Sequence, residues 1–263
     1  MNKLDRKKFD EEGFLVLESV FSLEECKKLQ REIEAHIATG LMPLTKKDAH
    51  QELITHNSIL KVCDELMGGV GFRFHHLHSA RHEEGMKSMG WHHDYELADQ
   101  PRKHLMLHFL IYLSGLNGEI GELLVVPGSH RMLVKSRQFF KKDFDFFEGY
   151  KVIDKLAPGS LVVINSATIH SRRARSGGGN SPRYFIDLSY CQETTKWPRY
   201  CGRNDWGNVL ANLSLWAKDD RARLIVRDDC YFTPLNNYFY SRLRNIMIPK
   251  ISKIRKNFKA FFA

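Results

Sequence analysis

Tyr184-Phe185-Ile186-Asp187-Leu188-Ser189-Tyr190 alternates residue by residue, the pattern of a strand whose two faces meet different surroundings. Working outward, Leu161-Val162-Val163-Ile164 reads as a second strand, entered through the turn at Pro158-Gly159. Leu123-Leu124-Val125-Val126 is a short buried strand closed by Pro127-Gly128-Ser129-His130. Further strands are expected over 150–153, over 104–113 and over 72–80, the last with Phe72, Phe74, His76 and His78 on one face. Residues 173–181, with Gly177-Gly178-Gly179, read as a flexible loop. Strands at this spacing, separated by polar turns, predict a mainly β fold with a double-stranded β-helix (jelly-roll, cupin-like) core. Helices flank it. A short charged helix precedes a strand at Gly13–Glu18, and Ser22-Leu23-Glu24-Glu25 is a capping box opening an amphipathic helix over 23–38. Residues 40–70 read as a loop and then a helix around Ser58–Leu66, ended by Gly68-Gly69.

With 263 residues, 43% hydrophobic and 27% charged, the chain fits one domain able to bury a sizeable core. No apolar run approaches the roughly 20 residues of a membrane span. The charged N-terminus shows no signal peptide, and five scattered cysteines without a C-x-x-C pair read as reduced thiols of a cytoplasmic protein. The net charge of +9 is uneven, since Ser241–Ala263 holds seven Lys or Arg residues and no acid. Interleaved with Ile and Phe, this tail predicts a basic amphipathic helix over 241–263. It would pack its apolar stripe on the domain or dock on an anionic membrane surface or a protein. Nucleic acid is not expected as a partner, because no motif elsewhere supports it.

The chemistry concentrates at Trp91-His92-His93-Asp94. On an extended segment His92 and Asp94 project from one side, so both can reach one metal, with His93 pointing away and Trp91 packing behind. Alone, H-x-D is a weak signal. Joined by His170, 78 residues later, it becomes two imidazoles and a carboxylate, a set that can face one side of an iron(II) octahedron. Arg183 follows His170 by 13 residues and enters the alternating strand, where a buried guanidinium needs an anion. Asp187 or another nearby acid could supply it, as could a bound dicarboxylate. Arg172, Arg173 and Arg175 are rival carboxylate binders. His104 and His108 share one strand face, and His108 is the expected inner-pocket residue; no Walker loop, nucleophile elbow or G-x-G-x-x-G occurs.

Several segments, in order, resemble the phytanoyl-CoA dioxygenase family of iron(II)/2-oxoglutarate oxygenases. Phe9-Asp10-Glu11-Glu12-Gly13-Phe14-Leu15-Val16-Leu17 looks like its N-terminal signature, and Trp91-His92-His93-Asp94 like its W-H-x-D. Gly121 to His130 is similar to its G-x-L-x-x-x-P-G-S-H element, and Pro158-Gly159-Ser160-Leu161 with His170 through Arg183 resembles its closing segment. The resemblance spans about residues 9–190. It implies that His92, Asp94 and His170 bind iron(II) and that Arg183 binds the distal carboxylate of 2-oxoglutarate. His108, from its place on the strand face, is expected as a further cosubstrate contact. A second such contact is expected among His76, His78, Arg81 and His82. The implied reaction consumes O2 and 2-oxoglutarate, releases succinate and CO2, and hydroxylates an unactivated C–H bond, with ascorbate as a stimulant. Halogenating members replace the carboxylate by a small residue, so Asp94 favours hydroxylation. Pro127-Gly128-Ser129-His130 is expected to shape the active-site rim, with His130 a possible substrate contact.

Two other functions compete: a metal-dependent isomerase or hydrolase on a similar barrel, and a binding protein that docks through its basic tail. The substrate is expected to be a small molecule, and the basic surface would suit an anionic or acyl one. Residues 191–240, rich in aromatics, would form a lid or pack beneath the tail.

Overall fold

The computed structural model describes residues 5–39, 48–97, 103–132, 138–140, 143–177, 182–200 and 206–232. The expected tail helix at 241–263 lies outside them. The chain opens with α1 (Arg6–Glu12), β1 (Phe14–Leu17), α2 (Leu23–Thr39), α3 (Asp48–Ile54) and α4 (Asn57–Leu66). Then come β2 (Phe72–His82), β3 (Met89–His92), β4 (Met106–Tyr112), β5 (Leu116–Asn117), β6 (Gly121–Val125), β7 (Gln138–Phe140) and β8 (Lys151–Ile153). The rest is β9 (Lys155–Leu156), β10 (Ser160–Asn165), β11 (His170–Ala174), β12 (Arg183–Gln192), β13 (Trp197–Pro198), α5 (Trp206–Trp216), α6 (Asp220–Ile225) and β14 (Tyr231–Phe232).

Two antiparallel five-stranded sheets form the predicted barrel, in the orders β1-β10-β4-β12-β2 and β7-β3-β11-β6-β8. Strand alternation sorts the side chains. From β4 and β10 of the first sheet, Leu110, Tyr112, Val162 and Ile164 turn inward and meet Leu123, Val125 and Ile153 of the second. Leu107, Phe109, Ile111, Ile186, Leu188 and Tyr190 turn outward and bury the apolar faces of α2 and α4 through Leu29, Ile33, Ile59 and Cys63. On the outer side of the second sheet, Trp91, Leu124, Val126 and Ile169 pack with Phe147. No described helix is long and apolar enough to cross a membrane.

The capping box forms as read: the Glu25 backbone N–H donates to Ser22 Oγ at 3.3 Å, and the Ser22 N–H donates to the Glu25 carboxylate at 2.7 Å. Three expectations need correction. Residues 48–54 form α3 where a loop was expected, because the Glu32 carboxylate accepts the Ala49 and His50 N–H groups and the His50 ring. A bulge at His75 flips β2, so Phe72 and Phe74 face the helices while His76 and His78 face the barrel interior with Ser189 and Asp187. Residues 173–174, expected in a loop, extend β11, where Arg173 pairs with Glu122 and Ala174 with Gly121.

Candidate metal centre

β3 and β11 are hydrogen-bonded neighbours, and His92 pairs directly with His170 in their register. The two rings lie 4.2 Å apart between centroids. Asp94 follows β3 and is pinned by its backbone N–H donating to the Ser166 carbonyl at 2.7 Å. One ligand atom from each of the three lies within 4.8 Å of the others. Asp94 Oδ2 is 3.3 Å from His170 Nε2, and Oδ1 is 4.0 Å from His92 Nε2. Trp91 packs behind them, its ring edge-on to Phe147 at 5.2 Å.

Proton positions follow from the partners. His92 Nδ1 lies 2.8 Å from the Gly90 carbonyl and His170 Nδ1 lies 3.1 Å from the Thr168 carbonyl. A carbonyl only accepts, so each Nδ1 carries a hydrogen and each ring turns its Nε2 towards Asp94. Burial pushes the Asp94 carboxyl up, but the imidazoles of His92 and His170 outweigh it and hold the group well below the usual carboxylate range. Three side chains with metal-binding atoms thus converge. Two imidazole nitrogens and one carboxylate fit a divalent iron, and the hydrogen-bonded Nδ1 positions fix the rings that would hold it.

The Pro-Gly-Ser-His element holds this centre in place from behind. Ser129 Oγ donates to the Val126 carbonyl at 2.6 Å and accepts the Ile169 N–H at 2.8 Å. His130 does not reach the rim as expected; its Nε2 lies 3.1 Å from the Asp10 carbonyl of α1. Thr168 Oγ1 donates to the Gly13 carbonyl at 2.9 Å. Gly13 has φ +84°, and a Cβ there would sit 2.4 Å from both His130 Nδ1 and Thr168 Oγ1. Glycine is therefore required both for the turn and for the close approach.

Deeper in the barrel two guanidinium groups face inward. Arg172, two residues beyond His170 on the same face of β11, donates to the Lys87 carbonyl and keeps a buried Nη1 without a hydrogen-bond partner. Arg183 Nη2 lies 2.7 Å from His82 Nδ1, its Nη1 donates to the Gly121 carbonyl at 3.4 Å, and its guanidinium stands 5.8 Å from the Tyr112 ring centre. None of these partners is a carboxylate. The expected competitor Asp187 is taken up by His108, whose Nδ1 lies 2.9 Å away. Burial pulls the Arg183 pKa down, and for Arg172 the neighbouring Arg183 cation adds to that effect. Burial and the Arg183 cation push His82 down to about 3, so its ring stays neutral and accepts from Arg183.

Among the other named residues, Arg173 and Arg175 both pair with Glu122, and Arg81 turns outward to Glu34 and Glu83. His104 stays outside the barrel on Thr194. His82 is thus the member of its group that touches Arg183. Sequence reasoning overlooked Ser189, which pairs with both His76 and His108, and gave Tyr200, whose ring stacks on His76 at 4.3 Å, only as one aromatic of 191–240. Trp197 and Tyr231 are buried in the main core and Tyr200 packs against it.

A search of curated protein sequences found no match. Among solved structures the fold is similar to the non-heme alpha-ketoglutarate-dependent carbocyclase SnoK of nogalamycin biosynthesis, at 18% identity and TM-score 0.61 over 73% of this chain and 85% of that one. HygX from Streptomyces hygroscopicus, solved with nickel and 2-oxoglutarate, aligns at 19% identity and TM-score 0.61 over 78% of this chain and 94% of its own. EctD from S. alaskensis, in its apo form, aligns at 18% identity and TM-score 0.60 over 73% and 77%. A family model, phytanoyl-CoA dioxygenase (PhyH), matches residues 9–181, taking in His92, Asp94, His170 and Arg172 and stopping two residues short of Arg183. By that match, and with the barrel and its histidine–aspartate centre in place, the chain belongs to the phytanoyl-CoA dioxygenase family.

Proposed function

We propose that this protein is an iron(II)- and 2-oxoglutarate-dependent dioxygenase that hydroxylates an unactivated C–H bond of a small molecule, with release of succinate and CO2. The observation that carries the reading is the pairing, inside one barrel, of a three-donor centre with two inward guanidinium groups that no carboxylate answers. His92, Asp94 and His170 would hold iron(II). Iron and 2-oxoglutarate together supply oxygen activation coupled to decarboxylation of the oxo acid. Arg183, with its fork fixed by His82 and Gly121, would bind the distal carboxylate, and Arg172 would add a second cation at that end. The similar folds of HygX, solved with 2-oxoglutarate, and of the alpha-ketoglutarate-dependent SnoK support this cosubstrate. His108 lies across the barrel from the iron donors, and its charge acts on Asp94, so it borders the same cavity. Asp94 fills the coordination position that a halide would need, which favours hydroxylation.

The test is turnover of the full chain with iron(II), ascorbate and 2-oxoglutarate against a metabolite library that includes anionic and acyl compounds. Succinate release should follow substrate addition, and Asp94→Ala should reduce it to background with unchanged circular dichroism. Wild-type turnover by Asp94→Ala would overturn the ligand assignment.

A further inference from the structure

A second cluster of metal-binding side chains stands on the facing sheet, outside the iron centre. His76, His108 and Asp187 bring one ligand atom each to within 4.8 Å of one another. They come from β2, β4 and β12, three adjacent strands. Ser189 on the middle strand pairs with His76 on one side and His108 on the other, and Asp187 follows two residues along on the same face. His108 Nδ1 lies 2.9 and 3.2 Å from the two Asp187 oxygens, and His76 Nε2 lies 3.7 Å from Oδ2. These spacings are as tight as those of the iron centre, at 3.3 and 4.0 Å.

The hydrogens can be placed. His75 Nε2 is 2.9 Å from the Pro198 carbonyl and 3.8 Å from a Glu96 oxygen, both acceptors, so it carries a proton. His75 Nδ1 lies 2.8 Å from His76 Nδ1, and His76 Nε2 is turned to Asp187. Burial raises the Asp187 carboxyl, but His108 and His76 outweigh it and hold the group ionised. Two imidazole nitrogens and a carboxylate therefore face one another, donors that can exchange a proton for a metal cation.

We infer that His76, His108 and Asp187 form a second divalent-metal site, distinct from the iron centre and suited to a transition metal with mixed nitrogen and oxygen preference, such as Zn(II), Co(II) or Fe(II). The site is built as ligand sites are. Ser189 Oγ sits 2.7 Å from His76 Nδ1, and Tyr200 stacks on the His76 ring with an interplanar angle of 6°. The Asp187 side chain keeps 19% of its surface open, which leaves a way in for the ion. The metal takes the place of the hydrogen between His108 Nδ1 and Asp187, and that hydrogen moves to Nε2 or to solvent.

The experiment is a Co(II) titration of chelator-stripped full-length protein, read by bound metal after desalting and by the Co(II) visible spectrum. Wild type should bind two equivalents. Asp94→Ala should keep one, and Asp94→Ala combined with Asp187→Ala, or with His76→Gln, should bind none. One equivalent in wild type and none in Asp94→Ala would overturn the inference, leaving only a proton or hydrogen bonds in the cluster. An equivalent that survives the double substitution would also overturn it, because the metal would then lie elsewhere on the surface. Succinate release by wild type is measured apart from metal stoichiometry, so the fate of this site and that of the oxygenase reading are read separately.

Discussion

The two sheets of the barrel each carry two histidines and an aspartate, yet they hold them differently. On the iron side the donors sit at strand ends, where β3 stops and β11 starts, and each imidazole is fixed by a backbone carbonyl two residues before it. On the facing side the donors sit within long strands, and side chains fix one another: Asp187 holds His108, and Ser189 and His75 hold His76. Strand-end donors depend on the pairing of β3 with β11. Mid-strand ligands are bound into the ladder, so their geometry depends on the register of three strands at once.

The difference can be broken or sharpened by substitution. The largest effect is expected at the two inward guanidinium groups, Arg183 on the facing sheet and Arg172 on the iron side. Two charge-assisted hydrogen bonds lost in Arg183→Ala should raise the KM for 2-oxoglutarate roughly 100-fold, with Arg172→Ala weaker at roughly 10-fold. Metal stoichiometry should not move in either. Equal KM values for wild type and Arg183→Ala would remove the anion site from the barrel interior. On the iron side, Ser129→Ala deletes one donor and one acceptor from a buried pair of hydrogen bonds and should cost about 2 kcal/mol of stability in urea unfolding. It should also weaken iron binding, because Ile169 precedes a ligand. Unchanged iron affinity would show that β11 alone sets His170.

The smallest effect is expected from pH. His82 has its pKa lowered from 6.5 to about 3 by burial and by the Arg183 cation. Between those values the unfolded chain binds a proton that the folded chain refuses, so stability falls as pH falls below 6.5 and is fully kept above it. The urea midpoint should therefore drop between pH 7 and pH 5, and His82→Gln, which keeps an acceptor for Arg183, should flatten that drop. A midpoint slope identical in both proteins would place the proton uptake elsewhere.

How far the sequence discloses this depends on whether a feature is local. His92 and Asp94 share a tetrapeptide, and period-2 alternation marks β10 and β12, so the fold and two of the proposed ligands are readable directly. His170 and Arg183 are singled out by their places at the end of one apolar strand and the start of another, and the family resemblance then gives them their proposed roles. The Asp187 cluster joins residues from three strands 32 and 79 positions apart, and the bulge at His75 inverts the face of half of β2. No periodicity read along the chain registers a one-residue bulge. The α3 helix escaped for a similar reason, since it rests on a carboxylate of another helix rather than on its own pattern.

The contact between Gly13 and Thr168 also bears on the order in which the protein is made. β1 has its partner in β10, with Phe14 opposite Ile164, so about 150 residues must leave the ribosome before the first strand finds its neighbour. Until then β1 is an unpaired edge, open to mispairing. When β10 arrives, α1 and the Pro-Gly-Ser-His turn clasp the segment just ahead of His170. The proposed iron ligands would therefore be latched only after β10 has emerged, and a chain trimmed at its first dozen residues would lose the Asp10 end of that clasp.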